Sequence, residues 1–490
     1  MFAVRPAVGG AEGLRGIPCR ERRDTTERWA SALIDSGVSD LVVRGARCVA
    51  TLDDQRREFA DGWVAVRGGL IEAVGTGPAP AAQMTIDATD CLVTPGLVNT
   101  HHHLYQNLTR AWPGMTDQPL FGWLTSLYPL WAALDTESVH VSTWVGLAEL
   151  ALSGCTTSTD HLYVHPRGAG DLLGAQVGAA RDLGVRFHPT RGSMSLSQKD
   201  GGLPPDDLVA DDDEILTASE EAVARHHDRA WGAMTRVALA PCSPFSVTER
   251  LMVATAELAE RLDVRLHTHF AENAEDDAFS LATFGCRPVD YLERTGWATP
   301  RTWVAHCVMP TDPEVRRLGA AGVGVAHCPS SNLILASGIA PIADLRAAGA
   351  PVGIGVDGSS SADSASMWLE TRQAMLLAKL RSGPGVATAR WALELATLGG
   401  ACCLGREGEL GVLAPGAVAD LAVWSLTGPG YAGALADPIE AWLRCGPAAA
   451  RDTIVGGIPI VREGHLVAAT TLDEMLRAHR RLAARMQRLP

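Results

Sequence analysis

The sequence predicts a (β/α)8 barrel that carries a small β-sandwich assembled from both chain ends. Two observations point there. Between residues 95 and 405, apolar runs of four to eight residues alternate with helical stretches, the signature of a parallel α/β architecture. Outside that span, on both sides, lie short β-rich runs separated by turn residues. A third observation turns the fold towards chemistry, because several of the apolar runs end on histidine or aspartate.

Residues 1–37 are rich in Gly, Pro and Arg and lack apolar periodicity, so they read as a disordered extension or a misassigned start. "DLVVRGARCVATLDD" and "GWVAVRGGLIEAVG" open the composite sandwich over 38–94, and "ADLAVWSL" and "DTIVGGIPIVREGHLV" complete it over 406–470. The barrel, 95–405, has eight strand candidates. They end at "LVNTHHH" (97–103), "TTSTDHL" (156–162), "VRFHPTRGS" (185–193), "RVALAPCSP" (236–244), "VRLHTHFAE" (264–272), "TWVAHCV" (302–308), "GVGVAHCPSSN" (322–332) and "PVGIGVDGS" (351–359). A terminal helix over 471–490 closes the chain.

At 490 residues, 47 % hydrophobic and 20 % charged, the composition is that of a globular chain with a large core. A net charge of -14 repels phosphate backbones and no dense basic run offsets it, so a small molecule rather than nucleic acid is the expected partner. Eleven cysteines without a CxxC pair fit a reducing, cytoplasmic setting without disulfides. No uninterrupted apolar stretch is long enough to span a membrane, and no signal-peptide core is present. A homo-oligomer is expected.

In a barrel of this kind, catalytic groups gather at the C-terminal ends of the strands. Side chains alternate along a strand, so His101 and His103 share one face while His102 points away. Two such imidazoles make half of a metal site, and His269 on the fifth strand with Asp357 on the eighth complete it. One divalent ion per chain is expected, Zn2+ before Fe2+, and it would lower the pKa of a bound water from 15.7 to about 7. Glu272 reaches the same mouth only if the chain turns after His269; it would then shuttle protons, with His306 and Asp357 assisting. An HxH pair alone is cheap to find in a long chain, and Asp357-Gly358 alone reads as a turn. The ordered set carries the argument.

With "TPGLVNTHHH", "HTHFAE", "AHC" and "GVDGS", the chain resembles the amidohydrolase superfamily over residues 40–470, in its single-metal aminohydrolase branch. That resemblance implies metal binding by His101, His103, His269 and Asp357, and proton transfer by Glu272 and His306. "HHHLYQNLTR", "RGSMSLSQKDGGLPPD", "FGCRPVDYLERTGW", "GVAHCPSSNLILASGIAPI" and "GVDGSSSADSASM" are similar to the bacterial 8-oxoguanine deaminase family. This narrower likeness implies hydrolysis of 8-oxoguanine to urate and ammonia by attack at C2, with Gln106 and Arg191 reading the ring edges. Tyr105, Trp112, Phe121 and Trp123, on the loop after the first strand, either cover the flat ring or pack that loop. Two departures bear on substrate choice: Ala362 stands before Asp363 where Asn is expected, and Ser330 where Cys is common.

Alternatives on the same scaffold are deamination of guanine or an isoxanthopterin-like ring, and removal of an amine or chloride from a triazine. A two-metal cyclic amidase would need a lysine at the end of the fourth strand, which reads "ALAPCSP"; Lys199 and Lys379 are the only lysines in the chain. A non-catalytic binding protein on a degenerate barrel is the remote alternative, and such relatives lose metal ligands that this chain keeps.

Overall fold

The computed structural model describes residues 38–113, 115 and 118–488. The expectation for residues 1–37 lies outside the described residues. Eight parallel strands close a barrel in chain order: Leu97–Asn99, Cys155–Leu162, Arg186–Ser193, Ala238–Pro241, Leu266–Phe270, Thr302–His306, Gly324–His327 and Val352–Ile354. Seven fall inside the runs read from the sequence, and the second starts one residue earlier, at Cys155. Parallel strands wrapped by helices are buried on both faces, and even the polar strand Cys155–Leu162 is buried along its whole length.

One side chain reinforces closure on both sides of the first strand. Asn99 Nδ2 donates to Ser158 Oγ (3.1 Å) and its Oδ1 accepts from Val356 N (3.0 Å), so the first strand is tied to the second and to the end of the eighth. That tie brings His101 beside Asp357, whose backbone N donates to the His101 carbonyl (3.0 Å).

The chain ends build two further sheets. One has four strands, in the order Leu70–Thr76, Gly62–Arg67, Ser39–Ala46 and Ala82–Asp87. The other has seven, and in it Leu421–Ser425 pairs antiparallel with Cys91–Pro95, joining C-terminal to N-terminal strands. Val43, Val64, Val66 and Ile86 of the first sheet and Val49, Val93, Leu421, Val423 and Ile454 of the second share one core. The helix Leu472–Met486 packs on the turn after the first barrel strand, where His479 Nε2 donates to Asn107 Oδ1 (2.8 Å). Among the described residues, no helix is long and apolar enough to cross a membrane.

Candidate metal centre

His101 and His103 follow the first strand, His269 sits near the end of the fifth, His306 is the last residue of the sixth, and Asp357 follows the eighth. The alternation read from the sequence holds: His101 and His103 turn inward, while His102 packs outside the barrel near Gly146.

Carbonyl oxygens fix the protonation of these rings, because a carbonyl can only accept. His103 Nδ1 donates to the His161 carbonyl (2.7 Å) and His269 Nδ1 to the Cys242 carbonyl (2.6 Å). Burial keeps both rings neutral, and so both Nε2 atoms carry lone pairs. They nonetheless face each other at 3.0 Å. His101 follows by one more step. His267 Nδ1 donates to the Trp303 carbonyl (2.9 Å), so its Nε2 must accept from His101 Nδ1 (2.8 Å), and His101 Nε2 is left without a hydrogen. That bare nitrogen is buried without a hydrogen-bond partner and points at Asp357 Oδ1, 3.2 Å away. His103 Nε2 lies 3.4 Å from the same oxygen.

Lone pairs aimed at lone pairs and at a carboxylate repel unless a cation lies between them. Four donors around a tetrahedral ion with bonds of about 2.0–2.1 Å stand about 3.3 Å apart. The observed spacings of 3.0, 3.2 and 3.4 Å match. The barrel mouth is a site for one divalent metal ion. The fourth-strand end holds Cys242 and no lysine; Lys379 Nζ donates to the Pro384 carbonyl (2.6 Å) and Lys199 sits in solvent beside Asp206.

Glu272 reaches the mouth because Ala271 adopts a left-handed conformation (φ 47°), which turns the chain straight after the strand. Its Oε2 lies 3.6 Å from His306 Nε2, and that nitrogen is 3.9 Å from Asp357 Oδ2. Burial, helped by the charge of Asp357, raises the Glu272 carboxyl above its ordinary range. For His306, burial works against the imidazolium, but the carboxylates of Glu272 and Asp357 outweigh it and the pKa rises. His306 and Asp357 are themselves left-handed (φ 70° and 61°), the kind of backbone strain that concentrates at working sites.

Gln106 lies against the backbone just past Asp357: a Cβ on Gly358 would come within 1.8 Å of its Oε1. That oxygen is buried and has no partner. Arg191 goes elsewhere. On the third strand, His188 and Thr190 take the inward parity, so Arg191, which pairs in register with Leu162, faces out into the helical layer with His165 and Asp171. The structure corrects its expected place beside the ring. The loop aromatics pack on other aromatic rings, with Trp123 and Tyr105 edge-on to Trp131 (5.6 and 5.3 Å) and Phe121 against Phe245 (5.0 Å). Tyr105 also lies near His103, at 6.2 Å.

Sequence reasoning missed four residues. His267 orients His101, and Asn332 Oδ1 accepts from His306 Nδ1 (3.0 Å). His161 stacks on His269 (4.8 Å, 19°), its ring nitrogen within 4.8 Å of those of His101, His103 and His269. Tyr163 stands edge-on to His103 at 5.1 Å. The departure at Ser330 has a visible partner: its hydroxyl and N–H both donate to the buried Glu370.

The amidohydrolase family profile matches residues 92–458. The 8-oxoguanine deaminase of Pseudomonas aeruginosa (strain PAO1) is 49% identical over 429 residues, which is 87% of this chain and 95% of that protein. Hydroxydechloroatrazine ethylaminohydrolase of Pseudomonas sp. (strain ADP) is 37% identical over 84% of this chain and 88% of its own. Among solved structures, atrazine chlorohydrolase from Arthrobacter aurescens TC1, complexed with zinc, superposes with a TM-score of 0.87 at 33% identity over 90% of this chain and 100% of that one. A closed barrel whose strand ends bring three neutral imidazoles and one aspartate to a single point, in a chain matched by that profile over most of its length, belongs to the amidohydrolase family as a metal-dependent hydrolase of C–N bonds.

Proposed function

We propose that the protein deaminates 8-oxoguanine to urate and ammonia with a zinc ion held by His101, His103, His269 and Asp357. The observation that carries the substrate is the 49% identity to an 8-oxoguanine deaminase along 95% of that protein. When bound, the ion supplies a water activated at neutral pH.

The protein's own groups do the rest. Glu272, its carboxyl raised above the ordinary range by burial, gives a proton to the ring nitrogen beside C2. His306 is held by Asn332 with its Nε2 between Glu272 and Asp357, where it steadies the proton taken from the attacking water. Asp357 Oδ2 accepts that proton, and its passage to the exocyclic amine releases ammonia. The unpartnered amide oxygen of Gln106, beside Gly358, accepts from an N–H on the ring edge. The sheets over 38–94 and 406–470 are proposed to form one domain that supports the barrel over 95–405, in a cytoplasmic homo-oligomer that binds no nucleic acid.

Ammonia release from 8-oxoguanine, guanine, isoxanthopterin and a panel of amino- and chlorotriazines tests this reading. Turnover of 8-oxoguanine above the others is expected. No release from it, with good turnover of another ring, would overturn the substrate assignment.

A further inference from the structure

Arg191 turns away from the metal, and its surroundings are those of a second site. Between the helices Leu172–Leu183 and Asp212–His226, against the outward face of the third barrel strand, lies a cavity of about 300 Å³. Arg191, His165, Asp171, Ala222, Arg225 and His226 are among its walls.

The charges there do not close. Arg191 makes one hydrogen bond, from Nη1 to the Gly192 carbonyl, and no carboxylate of the described residues comes within ion-pair distance of it. Its remaining guanidinium hydrogens have no protein acceptor among those residues. Asp171 is already engaged, capping Gly174 N (2.9 Å) and pairing with Arg225 Nη1 (3.3 Å). His226 Nε2 is buried and without a partner. Burial pulls the Arg191 pKa down to about 10, against the opposing charges of Glu214 and Asp171, so the guanidinium stays charged while its nearest carboxylates stand beyond ion-pair distance. The start of the helix Leu172–Leu183, at Gly170 to Leu173, lines the same wall with its N-terminus already capped by Asp171.

A cation with free hydrogens and a second unpaired nitrogen around one half-open cavity ask for an oxyanion. We propose that this cavity binds a small oxyanion, a phosphate or a short-chain carboxylate, through the Arg191 guanidinium with His226 beside it. The barrel wall separates this site from the metal, so the two bind independently.

The test uses the metal-loaded full chain, titrated calorimetrically and by thermal shift with inorganic phosphate, acetate and malonate. Saturable binding of one of these classes is expected, and which class binds identifies the ligand chemistry. Arg191→Met should weaken it about tenfold or more, because a hydrogen bond to a charged group is lost. Ala222→Phe, which fills the cavity without touching a charge, should do the same. Both should keep the metal content and circular dichroism of the parent, which separates this site from an anion bound at the metal. Binding unchanged in either folded variant, or no binding to the parent, would overturn the proposal; should Arg191→Met fail to fold, Ala222→Phe decides.

Discussion

The two ends of the barrel handle buried polar groups in opposite ways. At the N-terminal base, cations meet carboxylates: Arg186 forks onto Asp420 with two bonds of 3.0 Å, and Arg236 (3.1 Å) and Arg406 share Glu409. At the C-terminal mouth, acceptors meet acceptors, with His103 against His269 and His101 against Asp357. Both ends are nearly dry, so the contrast is one of pairing rather than exposure. The base pairs its cations with the protein's own carboxylates, whereas the mouth sets acceptor against acceptor and asks for a cation. Stability is therefore concentrated at one end and chemistry at the other.

The strongest way to break the contrast is to disable the mouth and leave the base intact. Glu272→Gln should lower deamination by about 10²–10⁴-fold, the usual worth of a general acid-base group, while metal content measured by atomic emission stays at one ion per chain. Loss of the metal in that variant would show that Glu272 is a ligand. His269→Ala, by comparison, should lose both metal and turnover.

Disabling the base should give the converse result. Asp420→Ala strands Arg186, a residue only 1% exposed, and should cost about 3–5 kcal/mol in chemical unfolding with the turnover of the folded fraction unchanged. A fall in kcat without a fall in stability would mean the two ends are coupled.

A subtler change sharpens the comparison. His267→Phe keeps the stack on Trp303 (4.5 Å, 19°) but removes the acceptor that sets the His101 tautomer. Metal affinity should drop about 10–100-fold, the usual effect of losing such an orienting partner. Unchanged affinity in a chelator competition would break the tautomer chain.

The smallest effect concerns Glu370, whose pKa is pushed up to about 8 by burial, with the Ser330 donors opposing. This carboxyl is protonated in the folded protein at neutral pH and ionised in the unfolded chain. Its contribution to stability therefore falls as pH rises from the ordinary glutamate range to about 8. Glu370→Gln should flatten part of the stability loss between pH 6 and pH 8.5 seen in denaturant titrations; an unchanged slope would count against the raised pKa.

Much of this was legible in the sequence, and the parts that were not share a cause. Strand parity separated His101 and His103 from His102. Applied to "LHTHF", the same rule puts His267 on the inward face with His269, two residues away. Applied to "HPTRGS", it sets His188 and Thr190 inward and Arg191 outward, so choosing Arg191 for its chemistry alone led to the wrong side of the wall. Glu272 breaks parity because of the turn at Ala271, a backbone conformation that an alanine does not advertise. His161 lies at the end of the run "TTSTDHL" and is marked by the same strand-end rule, whereas Asn332 and Tyr163 lie past strand ends and no local pattern marks them.

The hydrogen-bonded path through His101, His267 and Trp303 also sets an order of events. Trp303 Nε1 donates to the Thr100 carbonyl (3.0 Å), so the path returns to the first strand and forms a ring joining residues 203 positions apart. During synthesis His101 and His103 emerge long before this ring can form, and Asp357 arrives later still. A half-made chain thus displays a histidine pair without the geometry to hold an ion firmly. With the proposed ligand set, metal capture is expected to follow barrel closure rather than precede it.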